Sequence, residues 1–132
     1  MNKITKPNFP EKKVFHGKLI EQLRYGENPH QMSGIYSKKK NIGIKQIHGK
    51  QLSYKNYNDI FSALAISKTL PKNIGTVIVK HANPCGVSFK KNPINSYKFA
   101  LARYHASAFG CIFFCIFKFT KHVQFELNKF IF

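Results

Sequence analysis

The sequence has no tryptophan, few acidic residues and too few cysteines for a disulfide framework. Its three cysteines, Cys85, Cys111 and Cys115, cannot pair evenly. The polar start of the chain is unlike a secretory signal, so we expect a cytoplasmic protein in a reducing compartment. The longest nearly apolar run, residues 106–117, is shorter than the roughly 20 residues that span a bilayer. We therefore expect no membrane partner.

Arginine is also scarce, although the chain is strongly basic. Lysine and arginine together number 22 against five acidic residues, a net charge of +17, yet only Arg24 and Arg103 are arginines. Such a charge attracts the phosphates of nucleic acid, whereas the reading of base edges favours arginine. Scattered lysine with abundant Asn, Ile and Phe is typical of drift in an AT-rich genome. The composition favours an anionic small ligand over a specific nucleic-acid partner, with weak coating of nucleic acid as the alternative.

Apolar residues make up 43% of the chain, which is enough for the core of one folded domain. Asn58 is a suitable N-cap for a first helix, and Asp59 suits the positive end of its dipole. The apolar stripe of this helix should include Ile60, Phe61 and Leu64, because these residues recur at helical spacing.

A second helix and several strands complete an α/β order. Asn92 followed by Pro93 predicts the start of this helix, because proline at the first helical position loses no hydrogen bond. Tyr97 and Leu101 should lie on its buried face. Short β-prone segments near residues 33–36 and at residues 75–79 predict strands.

Both ends of the chain differ in composition from its middle. Residues 1–20 contain two prolines in a polar mixture, as is typical of a linker or arm. Eight of the 13 phenylalanines lie between residues 109 and 132. We therefore treat residues 111–132 as a divergent tail, in which a strand is expected but no polar closing element, and which should be prone to aggregation.

The residues with the clearest chemical character directly follow the predicted strand. They read KHANPCG at residues 80–86. Lys80 and His81 thus stand at the carboxyl end of a buried strand, where open α/β sheets bind ligands. We expect the following Asn-Pro-Cys-Gly to form a rigid turn, because Pro84 fixes its own φ and Gly86 tolerates a positive φ. The pattern predicts a functional site on an outward-facing corner.

A zinc site is not expected at this corner. The segment superficially resembles the His-x-Glu and Pro-Cys-x-x-Cys motifs of zinc deaminases. However, Asn83 stands at the position of the glutamate and cannot carry a proton, and Ser88 rather than a cysteine follows three residues after Cys85. We therefore predict a site without a metal.

Four segments together resemble a known enzyme family. They are LRYGENPHQ at residues 23–31, HGKQLSY at residues 48–54, KHANPCG at residues 80–86 and SAFG at residues 107–110. Their order and approximate spacing are similar to those of the bifunctional purine-biosynthesis family, which combines AICAR formyltransferase with IMP cyclohydrolase. The resemblance covers about residues 9–110, and it implies that residues 21–110 form the N-terminal part of the formyltransferase domain.

The resemblance implies a fold, a reaction and roles for four residues. The fold is a cytidine-deaminase-like three-layer α/β fold, here incomplete and without zinc. The reaction transfers a formyl group from the cosubstrate 10-formyltetrahydrofolate, a reduced folate, to the 5-amino group of AICAR, giving FAICAR, and the family acts as a homodimer. The family's catalytic pair falls on Lys80 and His81, and its nucleotide-binding pair falls on Arg24 and Tyr25.

The chemistry of these side chains agrees with those roles. A histidine is well matched to accept a proton at neutral pH, and a lysine ammonium can stabilise a developing oxyanion. Arginine offers a planar fork to a phosphate. Packing of Arg24 and Tyr25 within their own loop is the structural alternative, and Asn28, His30 and Gln31 should shape that loop through hydrogen bonds to the backbone.

The chain also departs from the family's pattern. Residues 103–105, Arg-Tyr-His, stand where the family has Cys-Asp-Pro or Thr-Asp-Pro, and the sequence after Gly110 does not align. The cyclohydrolase domain and the later substrate contacts have no counterpart in the sequence, so we expect the chain to be inactive alone. A non-catalytic basic remnant that binds anions or nucleic acid is the alternative.

Overall fold

A computed structural model describes residues 10–103 and 110–128 of the chain. The strands are β1 (Lys18–Gln22), β2 (Gly34–Ser37), β3 (Thr76–Lys80), β4 (Asn83–Ser88) and β5 (Ile112–Cys115), and the helices are α1 (Tyr54–Ser67), α2 (Pro93–Ala102) and α3 (Lys121–Asn128). This order confirms the α/β class. Because β1 begins at Lys18, the last residues of the segment predicted as an arm are part of a strand.

The core is built around β3, the central strand of a three-stranded antiparallel sheet of order β4-β3-β5. Val77 and Val79 of β3 pack against Ala63 of α1. Phe114 of β5 joins this cluster, whereas its neighbour Phe113 packs with α2 and α3. Successive strand residues point to opposite faces, so the sheet lies between α1 on one face and α2 with α3 on the other.

Helix α1 begins earlier than the sequence suggested, and its buried face is different. Its N-cap is Ser53 rather than Asn58, and the backbone N–H of Ser53 donates to Oδ1 of Asn56 at 2.9 Å. Asp59 is buried within the helix, whereas Phe61 is exposed. The predicted stripe was wrong at Phe61, whereas Ile60 and Leu64 are half-buried. It counted only apolar residues, although the buried positions of α1 include the polar Asp59 and Ser67.

Helix α2 confirms its sequence signals. The side chain of Asn92 accepts the N–H of Asn95 at 3.0 Å, and Pro93 occupies the first helical position. Tyr97 is almost completely buried and stacks at a tilt on Phe113, with 5.3 Å between the ring centroids.

The expectation that the C-terminal tail lacks a closing element was wrong. The predicted strand is present as β5, and α3 follows it. Val123 and Leu127 of α3 are buried against Tyr97, with Phe113 and Phe117 packed around them. This short helix is mostly polar, so its sequence did not suggest a buried face. Its two buried apolar residues are four positions apart, which is helical spacing. Within the residues that the structure describes, no helix is long and apolar enough to cross a membrane.

Candidate functional site

The site is centred on a tight turn between β3 and β4. Lys80, the last residue of β3, pairs with Asn83, the first residue of β4, and leaves His81 and Ala82 as a two-residue loop. Their φ angles are 51° and 60°, as a type I′ hairpin turn requires, although such turns prefer Asn-Gly or Gly-Gly. Positive φ at two consecutive residues with side chains is strained, and such strain is concentrated at functional sites.

The turn therefore lies earlier in the chain than expected. Asn83, Pro84, Cys85 and Gly86 belong to β4, and Gly86 does not adopt a positive φ. A Cβ at Gly86 would lie 2.1 Å from the carbonyl oxygen of Ala100 in α2. The glycine is required by this close packing of strand and helix and not by turn geometry.

An irregularity in β4 lies next to the turn. Ile78 pairs with Gly86 and Val79 pairs with Pro84, so Cys85 is an extra residue in the strand. Such a β-bulge increases the local twist and changes the direction of the residues beyond it. Proline fits here because it has no N–H to contribute to a regular ladder.

Two hydrogen bonds hold the turn from outside its own ladder. The N–H of Ala82 donates to Oδ1 of Asp59 in α1 at 2.6 Å, and the side-chain amide of Asn83 donates to the carbonyl oxygen of His81 at 2.8 Å. Asp59 was expected to interact with the dipole of its helix. Its carboxylate instead satisfies the amide of a strained residue on another element.

The loop over residues 23–31 provides the second part of the site. Leu23 donates its N–H to the carbonyl oxygen of Ser33 at 2.9 Å, and Gly26 donates to that of Gln31 at 2.7 Å. The side chain of Gln31 accepts the N–H of Asn28 at 2.9 Å. These bonds confirm that Gln31 shapes the loop, whereas Asn28 contributes through its backbone.

Arg24 and Tyr25 lie on this loop as a stacked pair, with Arg24 exposed and Tyr25 half-buried. Nη2 of Arg24 donates to the hydroxyl of Tyr25 at 2.8 Å, and the guanidinium carbon lies 4.7 Å from the ring centroid. The hydrogen bond from Arg24 lowers the pKa of Tyr25 below its ordinary value, with further contributions from a hydrogen bond to Ser53 and from the charge of Arg24. This pair presents a positive, donor-rich surface to an anion.

The backbone connects this loop to the start of α1. Arg24 donates its N–H to the carbonyl oxygen of Leu52 at 2.9 Å, and Tyr54 donates to that of Tyr25 at 3.0 Å. Tyr54 in turn lines two cavities. One has a volume of about 460 Å³ and lies along the loop, and the other, of about 170 Å³, lies at the β3–β4 turn.

The smaller cavity brings one predicted site residue, His81, next to Glu27 of the loop over residues 23–31. Its lining residues are Glu27, Tyr54, Lys55, Asn58, Asp59 and His81. His81 is exposed at this cavity, and Lys80 is half-buried beside it in the chain. Arg24 and Tyr25 do not line the cavity but lie on the same loop as Glu27. His48 and Lys50 are exposed in another turn, held by three hydrogen bonds from the side chain of Gln46.

Asp59 and Glu27 also line the cavity, although neither was predicted as a site residue. The signal for Asp59 was its type, because an aspartate in the interior of a helix opposes helix propensity and calls for a partner. No signal identified Glu27, since its place depends on how the loop packs against α1.

The cysteines and the acidic residues give no sign of a metal site in the part of the chain that the structure describes. No three of its His, Cys, Asp and Glu side chains are grouped so that they could hold a metal ion. Cys85, Cys111 and Cys115 are free and partly buried. Burial raises the pKa of Cys115 to about 11, so this thiol is protonated and unreactive at neutral pH. The SAFG segment lies, apart from Gly110, outside the described residues.

Comparison with known proteins agrees with this arrangement of segments. The family model described as AICARFT/IMPCHase bienzyme matches residues 1–132. Relatives called bifunctional purine biosynthesis protein PurH include that of Chelativorans sp. (strain BNC1), which is 45% identical over 109 residues, or 78% of this chain and 20% of the relative. The protein of Bradyrhizobium diazoefficiens is 42% identical over 117 residues, or 84% of this chain and 22% of the relative.

A third relative gives the same result. The relative from Listeria welshimeri is 40% identical over 117 residues, which cover 85% of this chain and 23% of the relative. The chain thus spans about a fifth of the length of the curated relatives that it matches. Both the family model and these relatives lead to one conclusion: the chain belongs to the AICARFT/IMPCHase bienzyme family.

Proposed function

We propose that this chain carries part of the site of an AICAR formyltransferase in purine biosynthesis. The observation that supports this most directly is the position of His81, on a strained turn that lines one cavity together with Tyr54. Because Tyr54 is hydrogen-bonded to the backbone of Tyr25, the imidazole and the Arg24–Tyr25 pair occupy adjoining parts of one surface. A small phosphorylated substrate fits such an arrangement.

His81 acts in this proposal as the proton acceptor. The amino nitrogen of AICAR attacks the formyl carbon of 10-formyltetrahydrofolate and forms a new C–N bond, while His81 takes a proton from that nitrogen. The carbonyl oxygen becomes an oxyanion, which the ammonium of Lys80 stabilises. The tetrahedral intermediate then breaks its bond to N10 of the folate, and the proton returns to N10. The products are FAICAR and tetrahydrofolate.

Arg24 and Tyr25 hold the 5′-phosphate of AICAR. Arginine binds phosphate through two parallel N–H donors, and such charge-assisted bonds are stronger than neutral ones. The side chain of Tyr25 supports Arg24 through their hydrogen bond and stacking. Because Arg24 is exposed and Tyr25 is half-buried, a ligand can reach the guanidinium without a rearrangement of the core.

Further parts of the proposal rest on the family and on the layered arrangement. The α1, sheet and α2–α3 layers are compatible with a cytidine-deaminase-like fold, of which residues 21–110 would form the N-terminal part. Reduced folate is the cosubstrate, no metal takes part, and the complete site would form in a homodimer.

Calorimetry with AICAR at physiological salt tests the substrate-binding part. Replacement R24A should weaken AICAR binding on the order of tenfold or more, because it removes a charged donor pair from the phosphate. The matched control is R103A, which removes the other arginine, an exposed residue at the end of α2. Binding of the nucleoside without phosphate should not respond to R24A. Equal losses in both variants, or loss with the nucleoside, would contradict the proposed phosphate site.

A second measurement separates the alternatives. In a full-length relative, replacing the histidine that aligns with His81 by alanine should abolish formyl transfer while AICAR still binds, and retained turnover would remove His81 from the mechanism. If the present chain does not bind AICAR but retains DNA or RNA with a steep dependence on salt, the basic, non-catalytic alternative is correct.

A further inference from the structure

We infer that Asp59 is a positioning residue, which holds the His81–Ala82 turn in its positive-φ geometry and so fixes the imidazole of His81 at the cavity. This inference rests on the proposed function for its catalytic meaning. The hydrogen bond that carries it, from the N–H of Ala82 to Oδ1 of Asp59 at 2.6 Å, exists independently of that function.

The turn needs an external partner because its own ladder does not supply one. In a two-residue hairpin closed by Lys80 and Asn83, the N–H of the second loop residue is not paired across the strands. A left-handed conformation is unfavourable for a residue with a Cβ. Ala82 adopts it at φ 60°, and the carboxylate offers a strong, charge-assisted acceptor at that geometry.

The position of Asp59 indicates that its role lies outside its own helix. It is the sixth residue of α1 and 8% exposed, and a buried carboxylate is costly unless it is hydrogen-bonded. Aspartate also lowers helix propensity in a helix interior. The contact with Ala82 explains why a buried aspartate stands in this helix. It gives the carboxylate a hydrogen bond and joins α1 to a turn 23 residues later.

A positively charged side chain lies near Asp59 at the cavity. Lys55 lies one helical turn before Asp59 and lines the same cavity, as do Glu27 and His81. Residues four positions apart share a helix face, so the lysine places a positive charge on the side of the carboxylate. Asp59 accepts the hydrogen bond of Ala82 in these surroundings.

Nuclear magnetic resonance on the full chain tests the geometry without substrate. At positive φ, the amide and α protons of one residue are unusually close, so His81 and Ala82 should each give a strong cross-peak between them. The Ala82 amide should also exchange slowly with water. In D59A we expect the strong cross-peaks of His81 and Ala82 to be lost. The Ala82 amide should exchange faster with water, on the order of tenfold or more. In D59N, whose amide oxygen still accepts, we expect an intermediate result.

Two controls distinguish positioning from general damage. E27Q removes the other carboxylate at the cavity and should leave the Ala82 amide protected. In D59A combined with A82G, glycine adopts positive φ without strain, so the cross-peak of His81 should return although the acceptor is absent. Unchanged signals at His81 and Ala82 in a folded D59A would overturn the inference. Retained formyl transfer in a full-length relative whose histidine at the His81 position is replaced by alanine would instead overturn the proposed function, and it would leave these signals unaffected.

Discussion

At the scale of single residues, Gly86 shows how closely the site is joined to the core. Four residues beyond Ala82, it allows β4 to lie directly against the backbone of α2. A side chain there would force the strand away from the helix, and the hairpin that carries His81 would move with it. The glycine was expected to allow a positive φ in the turn. Only the packing of β4 against α2 shows that it is needed for close contact between the two backbones.

Replacing Gly86 by alanine should destabilise the fold by about 2 kcal/mol or more. The added Cβ would lie 2.1 Å from the carbonyl oxygen of Ala100, so backbone and not a flexible side chain must give way. Chemical denaturation followed by circular dichroism measures the free energy of unfolding. Val87→Ala, at a more exposed position of the same strand, should cost less, and an equal cost at both positions would contradict the packing argument.

Tyr57 provides a pH-dependent link between α1 and β1. Its hydroxyl donates to Oε2 of Glu21 at 2.8 Å, and burial together with this carboxylate raises the pKa of Tyr57 from 10 to about 12. A raised pKa means that the contribution to stability is fully present below pH 10 and is lost between pH 10 and about 12.

We therefore expect Tyr57→Phe to lower the free energy of unfolding by about 1 kcal/mol at neutral pH. This difference from the parent chain should shrink between pH 10 and about 12, because only the parent loses stability as Tyr57 ionises. Denaturation at several pH values measures the difference. Tyr36→Phe, at an exposed position, is the control, and a constant difference across the interval would contradict the link.

At the scale of elements, the signals that succeeded were local. Asn92 and Pro93 start α2 through contacts within one turn, and the β-branched run of β3 needs only its own composition. The errors came from long-range contacts. Asp59 is buried on α1 because its carboxylate accepts a hydrogen bond from Ala82 in the β3–β4 turn. The turn of the hairpin lies at His81 and not at Gly86, because the bulge in β4 and the packing of β4 against α2 set the strand register.

Helix α3 covers one face of the sheet, so truncating its core residue should be costly. Leu127 is 3% exposed and packs in the cluster with Tyr97. Leu127→Ala should reduce the free energy of unfolding by about 2–3 kcal/mol. Gln124→Ala, on the exposed side of the same helix, should change it by less than about 0.5 kcal/mol. Equal, small effects of both changes would mean that α3 does not contribute to the core.

At the scale of the whole molecule, the dominant property is charge. A net charge of +17 on 132 residues favours solubility but opposes the compact state through self-repulsion. The sequence alone established this property, along with the family resemblance. The arrangement of charges around the cavity could not be predicted without the fold, because Glu27, Lys55 and Asp59 come from separate segments or helix turns.

The melting temperature should therefore rise by about 2–5 °C when salt is increased from low concentration to roughly 0.15 M. Screening weakens repulsion among the lysines. Replacing residues 38–40, three exposed lysines after β2, by glutamine should make the melting temperature less sensitive to salt. Scanning fluorimetry across a salt series measures both chains. If the melting temperature of the parent falls or stays constant, self-repulsion is not a significant cost.

The extra residue in β4 makes the hairpin sensitive to its length. A point substitution near Cys85 alters one side chain, whereas the gain or loss of one residue between Cys85 and Gly86 shifts the register of the strand and turns every following residue to the opposite face. Gly86 would no longer meet Ala100, and His81 would leave the cavity. Among functional members of the family, this segment should therefore vary by replacement and hardly ever by gain or loss of residues.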